Sequence, residues 1–198
     1  MKDIETRFAV ADDLELRVGE GETPNRLVGY AAVFNSLSAD LGGFKERLLP
    51  GAFKDSVTGG GDIRALVGHD PNQLLGRTSN GTLRVSEDER GLRVEVDLPD
   101  TSYGRDLREM VRRRDIRGMS FGFRVRKGGD SFTKEGGQTI RELRSVDLRE
   151  VSAVASPAYD STNVQLRVDP AAVAHVRDMN DTPELVARRM RLRRAMLV

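Results

Sequence analysis

Ser120, His69 and Glu150 are the residues whose types and settings can together perform covalent chemistry. The stretch Arg117 to Val125 alternates, with Met119, Phe121, Phe123 and Val125 on one face. Ser120, Gly122 and Arg124, followed by Arg126, fall on the other. The apolar face belongs to a core. The opposite face offers a small hydroxyl, a glycine that clears space beside it, and arginines. Taken alone this is an ordinary half-buried strand. A serine hydroxyl becomes a nucleophile only when an imidazole takes its proton, and the imidazole in turn needs a group that fixes its tautomer and stabilises its cation.

The chain has two histidines, so the choice of base is short. His69 follows the strand-like run Ile63 to Val67 and precedes Pro71, which puts it where a rigid element ends in a turn. His175 lies in an alanine-rich C-terminal stretch and reads as a surface residue. For the acid, the segment Val146 to Val154 offers Glu150 and Asp147. Strict alternation places Glu150 on one face with Val146, Leu148, Ser152 and Val154. A carboxylate there requires a partner, because burying it unpaired is costly. Asp147 falls beside Arg149 on the opposite face and reads as a solvated charge. A tetrahedral intermediate also needs donors for its oxyanion. Gly122, Arg124 and Arg126 are the candidates near the serine.

The elements that must position these groups are mostly short strands. Residues 1–19 alternate loosely around a turn at Asp12-Asp13, and Gly19 to Asn25 is turn chemistry. Leu27 to Phe34 is a buried strand and Phe44 to Leu48 a short extended piece. Pro50-Gly51 leads into a brief helix through Ser56. Strands follow at 63–67, 82–86 and 92–98. Pro99 to Ser102 stops the last of these and caps a helix from Tyr103 to about Arg114, with Leu107 and Val111 on its inner face. After the serine strand, Gly128 to Gly137 reads as a polar loop. Strands at 140–144 and 146–155 complete the sheet, Ser156 to Tyr159 closes it, and 164–166 adds a short piece. The expected fold is α+β, mainly β: a small closed or nearly closed β-barrel of about 7–8 strands with flanking helices. Residues 1–168 form this domain. Residues 169–198 form a basic helical tail, with Thr182 as cap and Pro183 at the first helical position.

Composition removes other chemistries. With no cysteine, disulfides, thiolate catalysis and Cys-based zinc sites are excluded, and two histidines argue against a multi-His metal site. A net charge of +1 and 5% aromatic residues give no general argument for nucleic acid or an anionic membrane. The charged start, Met1 to Glu5, is unlike a signal peptide, and no stretch has the length to span a bilayer, so an intracellular protein is expected. There is no GxSxG, phosphate loop or dinucleotide fingerprint.

Several segments form an ordered set: Gly29 to Asn35, Phe44-Lys45-Glu46 leading to Pro50-Gly51-Ala52-Phe53, Gly68-His69-Asp70 with Leu75-Gly76-Arg77, Gly118 to Phe123, and Leu148 to Ser152 with Ser156-Pro157-Ala158. Together, across residues 7–166, they resemble the prohead (capsid maturation) serine proteases of tailed bacteriophages. The resemblance implies a fold related to the herpesvirus assemblins. It implies an endopeptidase inside the assembling prohead, in the host cytoplasm, that cleaves scaffold or the scaffold-like segment of the major capsid protein, and itself. Carried over by motif, Ser120 is the nucleophile, His69 the base and Glu150 the third member, with Asp147 its rival. No cofactor is implied. A homodimer is expected by analogy with the assemblins. The tail is either a segment that targets the capsid or scaffold interior and is trimmed on activation, or a docked surface helix. The alternative function is a non-catalytic structural or assembly protein of the prohead on the same barrel.

Overall fold

The computed structural model describes residues 4–9, 14–18, 24–155 and 174–176. Alternating apolar residues build most of its strands. In chain order the elements are β1 (Glu5–Ala9), β2 (Glu15–Val18), β3 (Pro24–Val33), β4 (Lys45–Leu48), α1 (Lys54–Thr58), β5 (Arg64–Val67) and β6 (Asp70–Arg77). They continue with β7 (Leu83–Glu87), β8 (Gly91–Asp97), α2 (Ser102–Arg112), β9 (Gly118–Val125), β10 (Asp130–Glu135), β11 (Gln138–Leu143) and β12 (Val146–Val154). They form three sheets, ordered β1-β9-β12-β5-β6, β2-β3-β8-β7 and β10-β11-β4. One core collects Phe121 and Phe123 of β9, Val94 and Val96 of β8, Leu27 of β3, Val151 of β12 and Leu107 of α2. The Thr101 hydroxyl accepts the Gly104 N–H at 3.2 Å and starts α2, as the capping residues predict.

The protein is mainly β with few helices. The described strands lie in three sheets, and no closed ring is among them. Two departures from the sequence reading stand out. The polar stretch expected as a loop at 128–137 contains β10, which among the described residues is an outer strand paired with β11. Its residues are half-buried to exposed, so hydrogen bonding makes it a strand while its composition gives no apolar face. Residues 70–77 form β6, with Pro71 on an edge strand, where a missing N–H is tolerated. The expected turn at 12–13, most of that at 19–25, the segments 156–159 and 164–166 and the Thr182-Pro183 cap lie outside the described residues. Within 174–176 the chain is helical, and Val176 is buried against Leu41 and Phe44. His175 is exposed, with its ring centroid 4.9 Å from that of Phe132.

Two polar features hold β12 and β1 in place. Ser56 of α1 is buried; its hydroxyl donates to the Val146 carbonyl at 2.8 Å and accepts the Leu148 N–H at 3.0 Å, which pins the first residues of β12. The second is a buried ion cluster around β1. The Arg7 guanidinium donates to both oxygens of Glu46, at 2.7 and 2.9 Å, and to Glu5 at 2.7 Å. Arg141 donates to Glu5 at 2.8 Å, Glu46 at 3.1 Å and Asp130 at 2.9 Å. Arg141, Glu5, Glu46 and Arg7 are each 5% exposed or less, so each charge depends on its partners for the solvation it has lost. The cluster turns the charged Glu5 and Arg7 of β1 inward.

Burial by itself pushes the Glu5 carboxyl up, but the Arg141 hydrogen bond and charge, with Arg7 behind them, outweigh it and hold Glu5 below its ordinary 4.5. A depressed acid stabilises the fold above the unfolded-state value and loses that contribution as pH falls through the lower folded value. Urea unfolding should therefore show stability declining below about pH 4.5, with a smaller decline in Glu5→Gln. Arg141→Met should lower the unfolding free energy by about 3–5 kcal/mol, because it strands buried carboxylates.

Candidate active site

Each candidate side chain reaches the site from a different strand or turn. β9 delivers Ser120, and β12 runs antiparallel beside it with Ser152 opposite Ser120 and Val151 opposite Phe121. β5 lies parallel to β12 on its other side and ends in a turn at His69. β1 pairs with the free edge of β9, with Phe8 opposite Ser120.

A bulge decides where Glu150 points. Leu148 stands opposite Phe123 and Glu150 opposite Gly122, so one step on β9 is matched by two on β12. Arg149, the extra residue, is exposed. The shift moves Glu150 off the core face shared by Val146 and Leu148 and onto the face of Ser120 and Gly122. Strict alternation had grouped Glu150 with Val146 and Leu148; the bulge separates them. Gly122 is what leaves room for the acid, since a Cβ there would lie 2.8 Å from the Glu150 Cγ and 3.3 Å from its Cδ.

The turn that carries His69 is equally constrained. Val67 pairs with Asp70, leaving Gly68 and His69 as the two central residues, at φ 57° and 65°. Positive φ at both positions is the pattern of a type I′ hairpin turn, in which strand twist and turn twist agree. His69 is thus held in the left-handed region, which a residue with a side chain enters at a cost and which histidine tolerates better than most.

These constraints bring three side chains into a line. The His69 Nδ1–H donates to Glu150 Oε1 at 2.6 Å, and Nε2 lies 2.7 Å from Ser120 Oγ. The carboxylate on the Nδ1 side leaves Nε2 as the nitrogen that can accept the serine proton. The second carboxylate oxygen of Glu150 faces Arg64 of β5, 3.7 Å away, so the acid has a cation as well as an imidazole beside it. Glu150 is 8% exposed. Ser120 Oγ also lies 2.8 Å from the Arg7 carbonyl oxygen of β1. The hydroxyl has one proton and two acceptors. With a neutral imidazole it donates to Nε2 or to Arg7; with an imidazolium, Nε2–H donates to Oγ and the hydroxyl donates to Arg7. Ser120 is 0% exposed, enclosed between β1 and β12.

The other candidates lie elsewhere. Asp147 stands opposite Arg124, forms an ion pair with Arg149 and lines a surface cleft with Asp55, Asp62 and Arg126. Arg126 approaches Asp55 at 3.8 Å. Arg124 is four residues along β9 from Ser120, about 13 Å of strand. Its Nε is buried without a hydrogen-bond partner among the described residues. The sequence reading did not single out Arg64, Ser152 or the Arg7 carbonyl. Ser152 was visible as a serine two residues from Glu150, whereas the pairing that brings Arg64 to Glu150 leaves no local signal.

The described residues contain no cluster of acids and histidines able to hold a metal ion, and none of their helices is long and apolar enough to cross a membrane. No curated protein matches the chain. Among solved structures it is similar to the capsid assembly protease gp21 of bacteriophage T4, with 14% identity and a TM-score of 0.47, over 77% of this chain and 96% of that one. The model of the caudovirus prohead serine protease family matches residues 12–178. With the match spanning most of its length, the chain belongs to the caudovirus prohead serine proteases.

Proposed function

We propose that the chain is a serine endopeptidase of capsid maturation in which Ser120 is the nucleophile, His69 the general base and Glu150 the orienting acid. The observation that carries this reading is the single imidazole bridging Glu150 at 2.6 Å and Ser120 at 2.7 Å. Neutral His69 takes the Ser120 proton at Nε2 as Oγ attacks the carbonyl carbon of the scissile peptide. Glu150 stabilises the imidazolium that results. His69 then returns the proton to the departing amine, leaving an acyl-Ser120 ester, and activates the water that hydrolyses it. The substrates are scaffold or the scaffold-like segment of the major capsid protein, and the protease itself, inside the assembling prohead.

Ser120 has no exposed surface in this structure, so a peptide carbonyl reaches Oγ only after neighbouring groups move; displacing the Arg7 carbonyl of β1 would also remove a competitor for the Ser120 proton.

Ser120→Ala should leave proheads assembled with their scaffold uncut and the protease at full length, and should lower peptide cleavage by about 10⁴-fold or more. Normal processing by this variant would sink the reading and favour a structural role. Glu150→Gln should lower kcat by about 10³–10⁴-fold through loss of the correct tautomer, while Asp147→Asn leaves it near wild type; the reverse ranking would give Asp147 the role. The rate should fall on the acid side as imidazole becomes imidazolium, because only the neutral ring accepts the serine proton. A rate that does not fall toward acid pH would remove His69 as base.

A further inference from the structure

We propose that Ser152 is a positioning residue that fixes the His69 backbone, so that the ring spans Glu150 and Ser120. This rests on the reading of those three residues as the catalytic set. Ser152 is 0% exposed and stands opposite Ser120 in the β9–β12 register, which places its side chain on the same face as Ser120 and Glu150. Its neighbours Val151, Ala153 and Val154 are apolar and buried. A hydroxyl among them loses its hydration and is tolerated when it is hydrogen-bonded. Ser152 Oγ accepts the His69 main-chain N–H at 3.2 Å.

The turn explains why that bond matters. It has two residues, both at positive φ, and its two N–H groups end on consecutive residues of β12. Gly68 N–H donates to the Ala153 carbonyl at 3.0 Å, and His69 N–H donates to Ser152 Oγ. The first contact is main chain to main chain and is available to any sequence. The second depends on a side-chain oxygen at position 152. Without it, the His69 N–H loses its side-chain acceptor and the peptide between Gly68 and His69 is held less tightly, and rotation there carries the imidazole away from two hydrogen bonds on opposite ring edges. Displacements of this kind cost rate rather than binding, because they spoil the alignment of the reacting groups. Ser152 itself takes no proton and touches no substrate in this scheme.

The test uses full-length protein, a fluorophosphonate that labels the active serine, and amide hydrogen exchange resolved at Gly68 and His69. Ser152→Ala should lower the maximal labelling rate about 10- to 100-fold while the concentration for half-maximal rate stays at the wild-type value. The His69 amide should exchange at least about tenfold faster in this variant, with the Gly68 amide unchanged. Ser152→Thr keeps the acceptor oxygen and should restore both readouts. Labelling of Ser152→Ala at the wild-type rate, or a His69 amide no less protected than in wild type, overturns the proposal. If Ser152→Ala does not fold, Ser152→Thr decides: slow labelling in a folded Thr variant whose His69 amide is protected also overturns it. Labelling that persists in Ser120→Ala overturns the catalytic reading itself, an outcome that no change in His69 exchange can imitate.

Discussion

The site depends on the register between β9 and β12. Eight residues of β9 and nine of β12 meet in one antiparallel ladder, with a single extra residue at Arg149. On the Val146 side of that residue, β12 sends Leu148 into the core opposite Phe123. On the other side it sends Glu150 toward Gly122 and Ser152 toward Ser120. One bulge therefore turns the even-numbered residues of β12 from the core face before it to the face of Ser120 after it, without leaving the sheet. Ser56 steadies the point just before the change, by closing the Val146 carbonyl and the Leu148 N–H on one hydroxyl. A register slip would return Glu150 to the apolar face, where a carboxylate has no partner.

The surroundings of this ladder are unusually polar for a buried region. Ser120 and Ser152 have no exposed surface, Glu150 has little, and β1, paired with β9, carries Glu5 and Arg7 of the buried cluster with Glu46 and Arg141. Ion pairs like these seldom stabilise a fold better than well-packed apolar residues do; what they supply is a defined arrangement, because any other pairing strands a charge. Here the arrangement they define is the seating of β1. Its Arg7 is tied through the side chain to Glu46 and through the carbonyl to Ser120, so one residue connects the charge cluster with the serine hydroxyl.

Much of the sheet was legible from alternation. Met119 to Val125 and Leu92 to Val96 lie as the period of two predicts, and the Thr101 cap was readable because capping uses a local hydrogen bond. That His69 would meet Ser120 was also legible, since the chain offers two histidines and one of them ends a strand. Glu150 was chosen because a carboxylate on an apolar face demands a partner, but the face itself was misassigned. A bulge inserts one residue without any marker in composition, and it reverses every alternation argument beyond it. β10 was hidden for a related reason, as an edge strand held by backbone bonds shows no apolar side. The closed barrel was an inference from strand number, and strand number does not say which edges join. The Arg64–Glu150 contact and the inward turn of Glu5 and Arg7 depend on partners distant in sequence, which no local pattern encodes.

The turn at Gly68-His69 sets a limit on how this chain can vary in length. Between Val67 and Asp70 there is no slack: two residues, both left-handed, with both N–H groups already engaged on β12. One residue more or fewer would alter the turn class, and with it the direction in which the imidazole leaves the backbone. A few residues earlier, Gly59-Gly60-Gly61 joins α1 to β5 with exposed residues, where added chain changes only the closure entropy. Insertions and deletions among related chains should therefore gather at the glycine loop and avoid the histidine turn, so that spacing, as much as residue identity, marks where the chemistry lies.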